Sequence, residues 1–266
     1  PEREYYFNED EKSVEIREKY VDHIAKMFGL AGFEDPAESA AAIMALETRM
    51  AEAHMQKEKA RDFAANYSKI PLDELNELMP NFNWAGYIEE AGIGDIDGLV
   101  VMMNDHMATL DDIIVDTDLD TWKTYLDWVA LNTTASRLTE ALDKQNFEFY
   151  GRTLYGTEEQ RPMWRRAVNA VNGALGELVG KVYVDEHFPP EAKARMEELV
   201  QNLILAYEKS ITELDWMSDA TRSEALDKLS KFTPKVGYPD EWREYDFEVS
   251  AEDLYGSIER ATVAEY

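Results

Sequence analysis

The chain has no cysteine among its 266 residues, so disulfide bonds and thiol chemistry cannot contribute to its fold or its activity. It also has no run of about 18 apolar residues, the length that a membrane-spanning helix needs, and its first residues lack a signal-peptide pattern. Basic residues are scarce, with 27 Lys and Arg against 55 Asp and Glu and a formal net charge of -28. That charge repels phosphate backbones and anionic lipids, so we expect this segment to contact neither nucleic acid nor membrane.

Hydrophobic residues make up 45% of the chain and aromatic residues 11%, which is enough to bury a substantial core. No repeat, low-complexity tract or long Gly/Ser linker divides it. We therefore predict one helical domain over residues 1–266. The fold class is mainly α: a multi-helix, bundle-like domain with long antiparallel helices and at most a few short strands.

Helical periodicity is clear in the first quarter of the sequence. Asn8 is a candidate cap for a first amphipathic helix, and Gly29 and Gly32 are its candidate stops. Asp35-Pro36 predicts a second helix with a cap and a proline in its first turn. The stretch that follows reaches Tyr67 without glycine or proline, which favours one long helix packed antiparallel to the first.

Shorter elements are predicted next. Pro71 begins a short helix, and the apolar run GLVVMM, residues 98–103, fits a buried strand or a helix turn, with the strand favoured. A helix is predicted from Asp118 to about Leu142. Its aromatic stripe, which includes Trp122 and Trp128, predicts core packing in preference to a ligand platform.

The second half contains further helix signals. Phe147–Gly151 predicts a break, and Thr157 is a candidate cap for the next helix. Pro189-Pro190 predicts the start of a long helix and Ser218 or Asp219 the start of another.

Two sets of residues are assigned to packing. The first set consists of glycines at three- and four-residue spacing, assigned to close contacts between helices: Gly173, Gly176 and Gly180. The second set is the apolar face of the long helix: Met196, Leu199, Val200, Leu203, Ile204, Tyr207, Ile211 and Leu214.

The most specific pattern lies between Trp216 and Tyr245, WMSDATRSEALDKLSKFTPKVGYPDEWREY. Its order of Trp-Met, Thr-Arg, a helix and then Lys-Val-Gly-Tyr-Pro-Asp resembles the neprilysin and endothelin-converting-enzyme family of zinc metallopeptidases. The resemblance extends over nearly the whole chain and includes the segment T-W-x-x-Y-L-x-W at Thr121–Trp128. Ala167 stands where animal members have a cysteine, which favours a bacterial relative. The resemblance further implies a bacterial periplasmic or extracellular location.

In that family the corresponding helices form a lid domain over the active-site chamber and limit access to peptides. By this resemblance, the intact parent would be a zinc metalloendopeptidase with peptide substrates. We expect its zinc ligands and catalytic glutamate to lie beyond Tyr266. The partner of this chain would then be its own catalytic domain, and the chain alone would be inactive.

The residues of the chain agree with that division. The zinc motif H-E-x-x-H is absent, and the four histidines, His23, His54, His106 and His187, are too far apart in sequence to share a helical face. Phe188 and two prolines follow His187 and predict the end of a helix there. We therefore assign no catalytic, cofactor-binding or metal-binding residue to this chain and leave its substrate-binding residues unassigned.

Two other functions are open from the sequence. The first is a helical module that binds a protein or peptide through an exposed apolar groove and has no catalytic parent. The second is an independent enzyme with paired carboxylates such as Asp111-Asp112, although 55 acidic residues produce such pairs by chance. Trp216, Tyr238 and Trp242 are assigned to packing, so we expect Trp216 to be buried.

Overall fold

The computed structural model describes residues 3–265. About 70% of the chain is helical, which confirms the mainly α fold class. The chain forms two compact units, residues 1–160 and 161–266. That residues 1–266 act as one domain stays a prediction.

The first unit contains ten α-helices and one two-stranded ribbon among its described residues. These elements are α1 Glu4–Phe7, α2 Glu11–Ala31, α3 Pro36–Glu52, α4 Lys57–Ala60, α5 Phe63–Asn66, β1 Lys69–Pro71, α6 Leu72–Leu78, α7 Trp84–Glu90, β2 Gly98–Val100, α8 Asn104–Asp116, α9 Leu119–Thr134 and α10 Glu140–Asn146. A 3₁₀ turn, Ala135–Arg137, precedes α10, and a π-helical segment, Phe147–Leu154, follows it. Helices α2 and α3 pack against each other, as predicted.

Helix α2 begins later than predicted. Asp10, not Asn8, is its N-cap, because the Asp10 carboxylate accepts a hydrogen bond from the Ser13 amide at 3.0 Å. Gly29 lies inside the helix, and only Gly32 ends it, with a φ of 83°. That left-handed conformation favours glycine, which has no side chain to collide with the backbone.

The long second helix predicted as far as Tyr67 is wrong. Helix α3 ends at Glu52, and the short helices α4 and α5 follow separately. Asp62 starts α5 by accepting a hydrogen bond from the Ala65 amide at 3.0 Å, so a polar side chain begins a new turn where helix propensity predicted continuity. Pro36 does occupy the first turn of α3, but Asp35 makes no side-chain cap and has a φ of 48°.

Helix α9 is also shorter than predicted. Asp118 caps it by accepting a hydrogen bond from the Thr121 amide at 2.8 Å, but it ends at Thr134 and not near Leu142. Thr139 caps α10 separately. The break predicted at Phe147–Gly151 is wrong as well, because this stretch continues α10 in π-helical form.

The two short strands form an antiparallel ribbon. The predicted strand in residues 98–103 is present as β2, which pairs with β1 in the register Lys69 to Val100 and Pro71 to Gly98. A side chain at Gly98 would collide with the Ile70 carbonyl, so close backbone approach requires glycine there. Strand β1 was not predicted, since three residues are too few for a periodic pattern.

Two apolar cores stabilise the first unit. The larger lies among α2, α3, α9, α10 and the π-helical segment; its members are Tyr20, Ile24, Met27, Phe28, Ala40, Ile43, Trp128, Leu131, Ala135, Leu142 and Phe149. The smaller, beside the ribbon, consists of Leu75, Met79, Trp84 and Val101. Trp128 is 1% exposed, which confirms core packing for this member of the aromatic stripe.

The second unit has five α-helices among its described residues: α11 Met163–Ala174, α12 Gly176–His187, α13 Pro190–Glu213, α14 Asp219–Ser230 and α15 Leu254–Glu265. The predicted starts of α13 at Pro190 and of α14 after Ser218 are confirmed. The predicted cap at Thr157 is wrong, because α11 starts only after Pro162. Helical geometry is disfavoured for a residue that precedes a proline, so the helix does not begin at Arg161, before Pro162.

Candidate functional site

The four histidines do not gather at one place in the structure. His23 lies in the larger core, and His187 is exposed at the end of α12. His54 and His106 approach each other, with ring centroids 4.1 Å apart. Across residues 3–265, no group of three or more His, Cys, Asp or Glu side chains is placed to hold a metal ion.

His23 is a core residue. Its ring stacks on Phe149 at a centroid distance of 4.9 Å, and its Nδ1 lies 3.2 Å from the Gln145 side-chain nitrogen. Burial lowers the pKa of His23 to about 4, because a charged imidazole loses its hydration there. His23 is therefore neutral at neutral pH and contributes packing.

A buried carboxyl group at Glu47 lies beside the same core. The hydroxyls of Tyr6 and Tyr20 donate to its two oxygens at 3.0 and 3.1 Å. Burial raises the pKa of Glu47, and these two hydrogen bonds lower it in part. The Tyr20 hydroxyl also accepts from the Trp128 indole at 3.2 Å. This network links α1, α2, α3 and α9, so we interpret Glu47 as a structural residue.

The carboxylate pair Asp111-Asp112 is not an acid-base pair. Asp111 is 3% exposed and accepts hydrogen bonds from the Asn81 amide at 3.0 Å and from its side chain at 2.7 Å. Asp112 is exposed. Asp111 therefore holds the turn between α6 and α7, and the two carboxylates have different surroundings and no shared site.

The segment from Gly237 to Tyr245, the last part of the Trp216–Tyr245 signature, holds the start of α13 in place. Lys193 donates to the Tyr238 carbonyl at 3.0 Å and to the Asp240 carboxylate at 2.6 Å. Its ammonium also lies 4.5 Å from the centre of the Tyr238 ring. The bond to Asp240 raises the pKa of Lys193. We call these contacts the clamp at Lys193, because they hold the motif against the first turn of α13. They do not form a catalytic arrangement.

The same segment also holds the start of α12. Glu177 accepts from the Arg243 amide at 2.7 Å, and the Glu177 amide donates to the Tyr245 hydroxyl at 3.2 Å. Gly237 has a φ of 68°, and an added Cβ would lie 2.7 Å from the Phe188 ring. Both the backbone angle and the close ring explain the glycine in this motif.

Arg222 joins α13 to α14. One of its guanidinium nitrogens donates to the carbonyls of Leu214 and Met217, at 2.9 and 3.1 Å, and the other donates to Asp219 at 2.7 Å. The Leu214 carbonyl, at the C-cap of α13, thus gains a cationic partner, as helix C-termini favour. The Thr-Arg pair of the signature therefore has a structural role in this turn.

Three packing predictions need correction. Trp216 is 76% exposed, not buried. Gly173 and Gly176 have open space where a Cβ would lie, so close packing does not explain them; only Gly180 has a neighbour, the Trp242 ring at 3.6 Å. Tyr238 and Trp242 stack with ring centroids 6.0 Å apart and are half-buried, so packing is confirmed for these two.

The predicted apolar face of α13 is present but uncovered within this unit. We call its most exposed members, Met196, Leu199, Leu203 and Tyr207, the α13 face; they are 42% to 63% exposed. Helices α11 and α12 expose Trp164, Val182 and other large apolar residues in the same way. Contiguous apolar surface of this kind marks an interaction site more often than a free surface.

Comparison with known proteins identifies the family. The model of peptidase family M13 matches residues 1–239. The chain belongs to peptidase family M13. The matched region is the family's N-terminal domain, and the family consists of zinc metallopeptidases. This membership confirms the resemblance to neprilysin and the endothelin-converting enzymes.

Individual relatives agree with the M13 assignment. Membrane metallo-endopeptidase-like 1 of Mus musculus is 27% identical over 256 residues, 90% of this chain and 33% of that protein. Human endothelin-converting enzyme 1 is 27% identical over 246 residues, again 90% of this chain and 32% of that protein. The chain thus spans about a third of the length of these M13 relatives.

Solved structures match the whole chain. The zinc metalloprotease Zmp1 of Mycobacterium tuberculosis, in an open state, has a TM-score of 0.86 and 39% identity, over 100% of this chain and 42% of that one. PepO from Lactobacillus rhamnosis has a TM-score of 0.78 at 19% identity, over 99% of this chain and 44% of that one, and supports the fold alone.

The described residues do not fit the catalytic zinc of an M13 peptidase. A catalytic zinc site needs three protein ligands and an open position, whereas the nearest approach of histidines is the pair His54 and His106. No H-E-x-x-H motif supplies a glutamate beside them. In addition, none of the helices in residues 3–265 combines the length and the apolar character that crossing a membrane requires.

Proposed function

We propose that this chain is the helical lid domain of an M13 zinc metalloendopeptidase. In this proposal it covers the active-site chamber and restricts access to peptides, while another part of the protein supplies zinc and the catalytic groups. The observation that carries the proposal is the M13 match over residues 1–239 in a chain that spans 42% of Zmp1. The intact parent would hydrolyse peptide bonds.

The uncovered surface of the second unit supports a docking role. The clamp at Lys193 and the turn at Arg222 fix α13 at its two ends. The α13 face between them remains exposed and apolar. A rigid helix with such a face suits a lid that moves against its partner as one body. We propose that the catalytic half of the parent covers this face.

A charge placed on the α13 face tests the proposal. Leu203→Asp should weaken binding of the chain to the separately produced catalytic half by about tenfold or more, because the carboxylate would lose hydration in an apolar interface. Gln201→Asp adds the same charge about half a helical turn away and is the matched control. Binding is measured by calorimetry. Equal affinity for both variants would contradict docking through this face.

The alternative is a helical module that binds a peptide or protein without a catalytic parent. A cavity of about 770 Å³ favours it; its lining is apolar and includes Leu203, Tyr207, Leu229, Phe232 and Val236. A peptide that binds this groove tightly in the presence of the catalytic half would support the module. Displacement of the peptide by the catalytic half would support the lid.

The location proposed for the parent is the periplasm or the extracellular space of a bacterium. Family resemblance supports it, and the absence of cysteine is compatible with it. Fractionation of the source cells, with detection of the chain in each compartment, tests this. Recovery in the cytoplasm alone would contradict it.

A further inference from the structure

Two histidines that are distant in sequence meet at a cavity in the first unit. His54 lies in the turn after α3, and His106 lies in the first turn of α8. Their ring centroids are 4.1 Å apart and the rings are inclined at 61°. The fold thus creates a pair of imidazoles that sequence spacing gave no reason to expect.

The surroundings of His106 leave one ring nitrogen free to bind a ligand. Its Nδ1 is buried and has no hydrogen-bond partner. An imidazole nitrogen without a hydrogen-bond partner keeps its lone pair available for a metal ion.

The adjoining cavity has room and polar groups for the rest of a coordination shell. Its volume is about 440 Å³, and Gln56, Ser68, Asn104 and Asp105 contribute to its lining. Arg3 and Lys59 also line it, and their positive charges reduce the affinity for a cation, while Asp105 opposes them. Water has space to complete the coordination of an ion held by two imidazoles.

We propose that His54 and His106 bind one divalent transition-metal ion, of the class that prefers imidazole nitrogen, such as Zn²⁺ or Cu²⁺. Two protein ligands and water make this a weaker site than a structural or catalytic zinc centre. It also revises, for this pair, the expectation that the chain has no metal ligands.

Titration of the metal-free chain with ZnCl₂ in excess Mg²⁺ tests the site. Mg²⁺ prefers oxygen ligands and occupies the many surface carboxylates, so the Zn²⁺ that still binds is held by imidazole nitrogen. We expect one equivalent of Zn²⁺ to bind. His54→Ala and His106→Ala should each weaken Zn²⁺ binding by about tenfold or more. Loss of a residue that only supports a metal ligand already weakens binding by about that much, and loss of the ligand itself should cost at least as much. His187→Ala, at an exposed histidine, should bind like the unmodified chain.

Electron paramagnetic resonance of the Cu²⁺-loaded, unmodified chain provides a second readout that does not depend on any variant folding. Two coordinated imidazole nitrogens are expected, and binding should weaken as the pH falls and the imidazoles are protonated. Either of two results would overturn the proposal: Zn²⁺ binding that is absent or equal in all the variants, or a Cu²⁺ spectrum with oxygen ligands alone.

Discussion

The two units differ in what their apolar residues contact. In the first unit, Trp128, Phe28 and Ile24 are almost completely buried. In the second, helices α11 to α14 contain no buried residue, although the apolar pattern of α13 is just as regular. Periodicity therefore predicts which face of a helix is apolar, but not which molecule or segment covers it. The contrast supports a lid whose second unit serves as a docking surface.

The largest expected effect that tests this contrast is at Trp128. Trp128→Ala should lower the free energy of unfolding by about 3–5 kcal/mol, because it empties the centre of the larger core. The Tyr20 hydroxyl would also lose its indole donor. Denaturation with urea measures the change. A loss below about 1 kcal/mol would show that the first unit does not depend on this core.

The next effect concerns pH and His23. The unfolded chain protonates this histidine below about pH 6.5, but the folded chain does so only near pH 4. Folded-state stability from this group is therefore lost as the pH falls between those values, by about 3 kcal/mol in total. His23→Gln should lack this part of the acid destabilisation, as measured by urea unfolding at several pH values.

His187→Gln is the control for that experiment, since His187 is exposed in the second unit. It should retain the pH dependence of the unmodified chain. If His23→Gln also retains it, the burial of His23 does not govern acid stability and the core of the first unit is more open than described.

The smallest expected effect is at Trp216. Because its side chain is 76% exposed, Trp216→Ala should change the free energy of unfolding by no more than about 0.5 kcal/mol. Urea denaturation of the isolated chain measures this. A loss near that of Trp128→Ala would mean that the second unit buries its aromatic residues after all, and the contrast between the units would disappear.

Much of the fold could be predicted from local sequence signals. Asp118, Pro190 and Ser218 begin helices because a short polar side chain or a proline suits the first turn. The errors occurred where two local signals competed. Helix propensity predicted α3 as far as Tyr67, but Asp62 begins a new turn, and the expected break after Phe147 is a π-helical continuation.

The candidate sites were harder to predict, because they depend on contacts between distant segments. Sequence spacing revealed no metal ligands, yet the fold brings His54 to His106. The signature at Trp216–Tyr245 identified the family, but whether its tryptophans were buried could not be read from their identity: Trp242 is half-buried and Trp216 exposed. The sequence of α13 shows that one face of the helix is apolar, but it does not show what covers that face.

The most direct test of the central claim is peptide hydrolysis by the purified chain, with and without the catalytic half of its parent. We predict no chelator-sensitive cleavage by the chain alone. With the catalytic half present, short peptides should be cleaved while folded proteins are spared. Chelator-sensitive cleavage by the clean, isolated chain would contradict the proposed division between lid and catalytic domain.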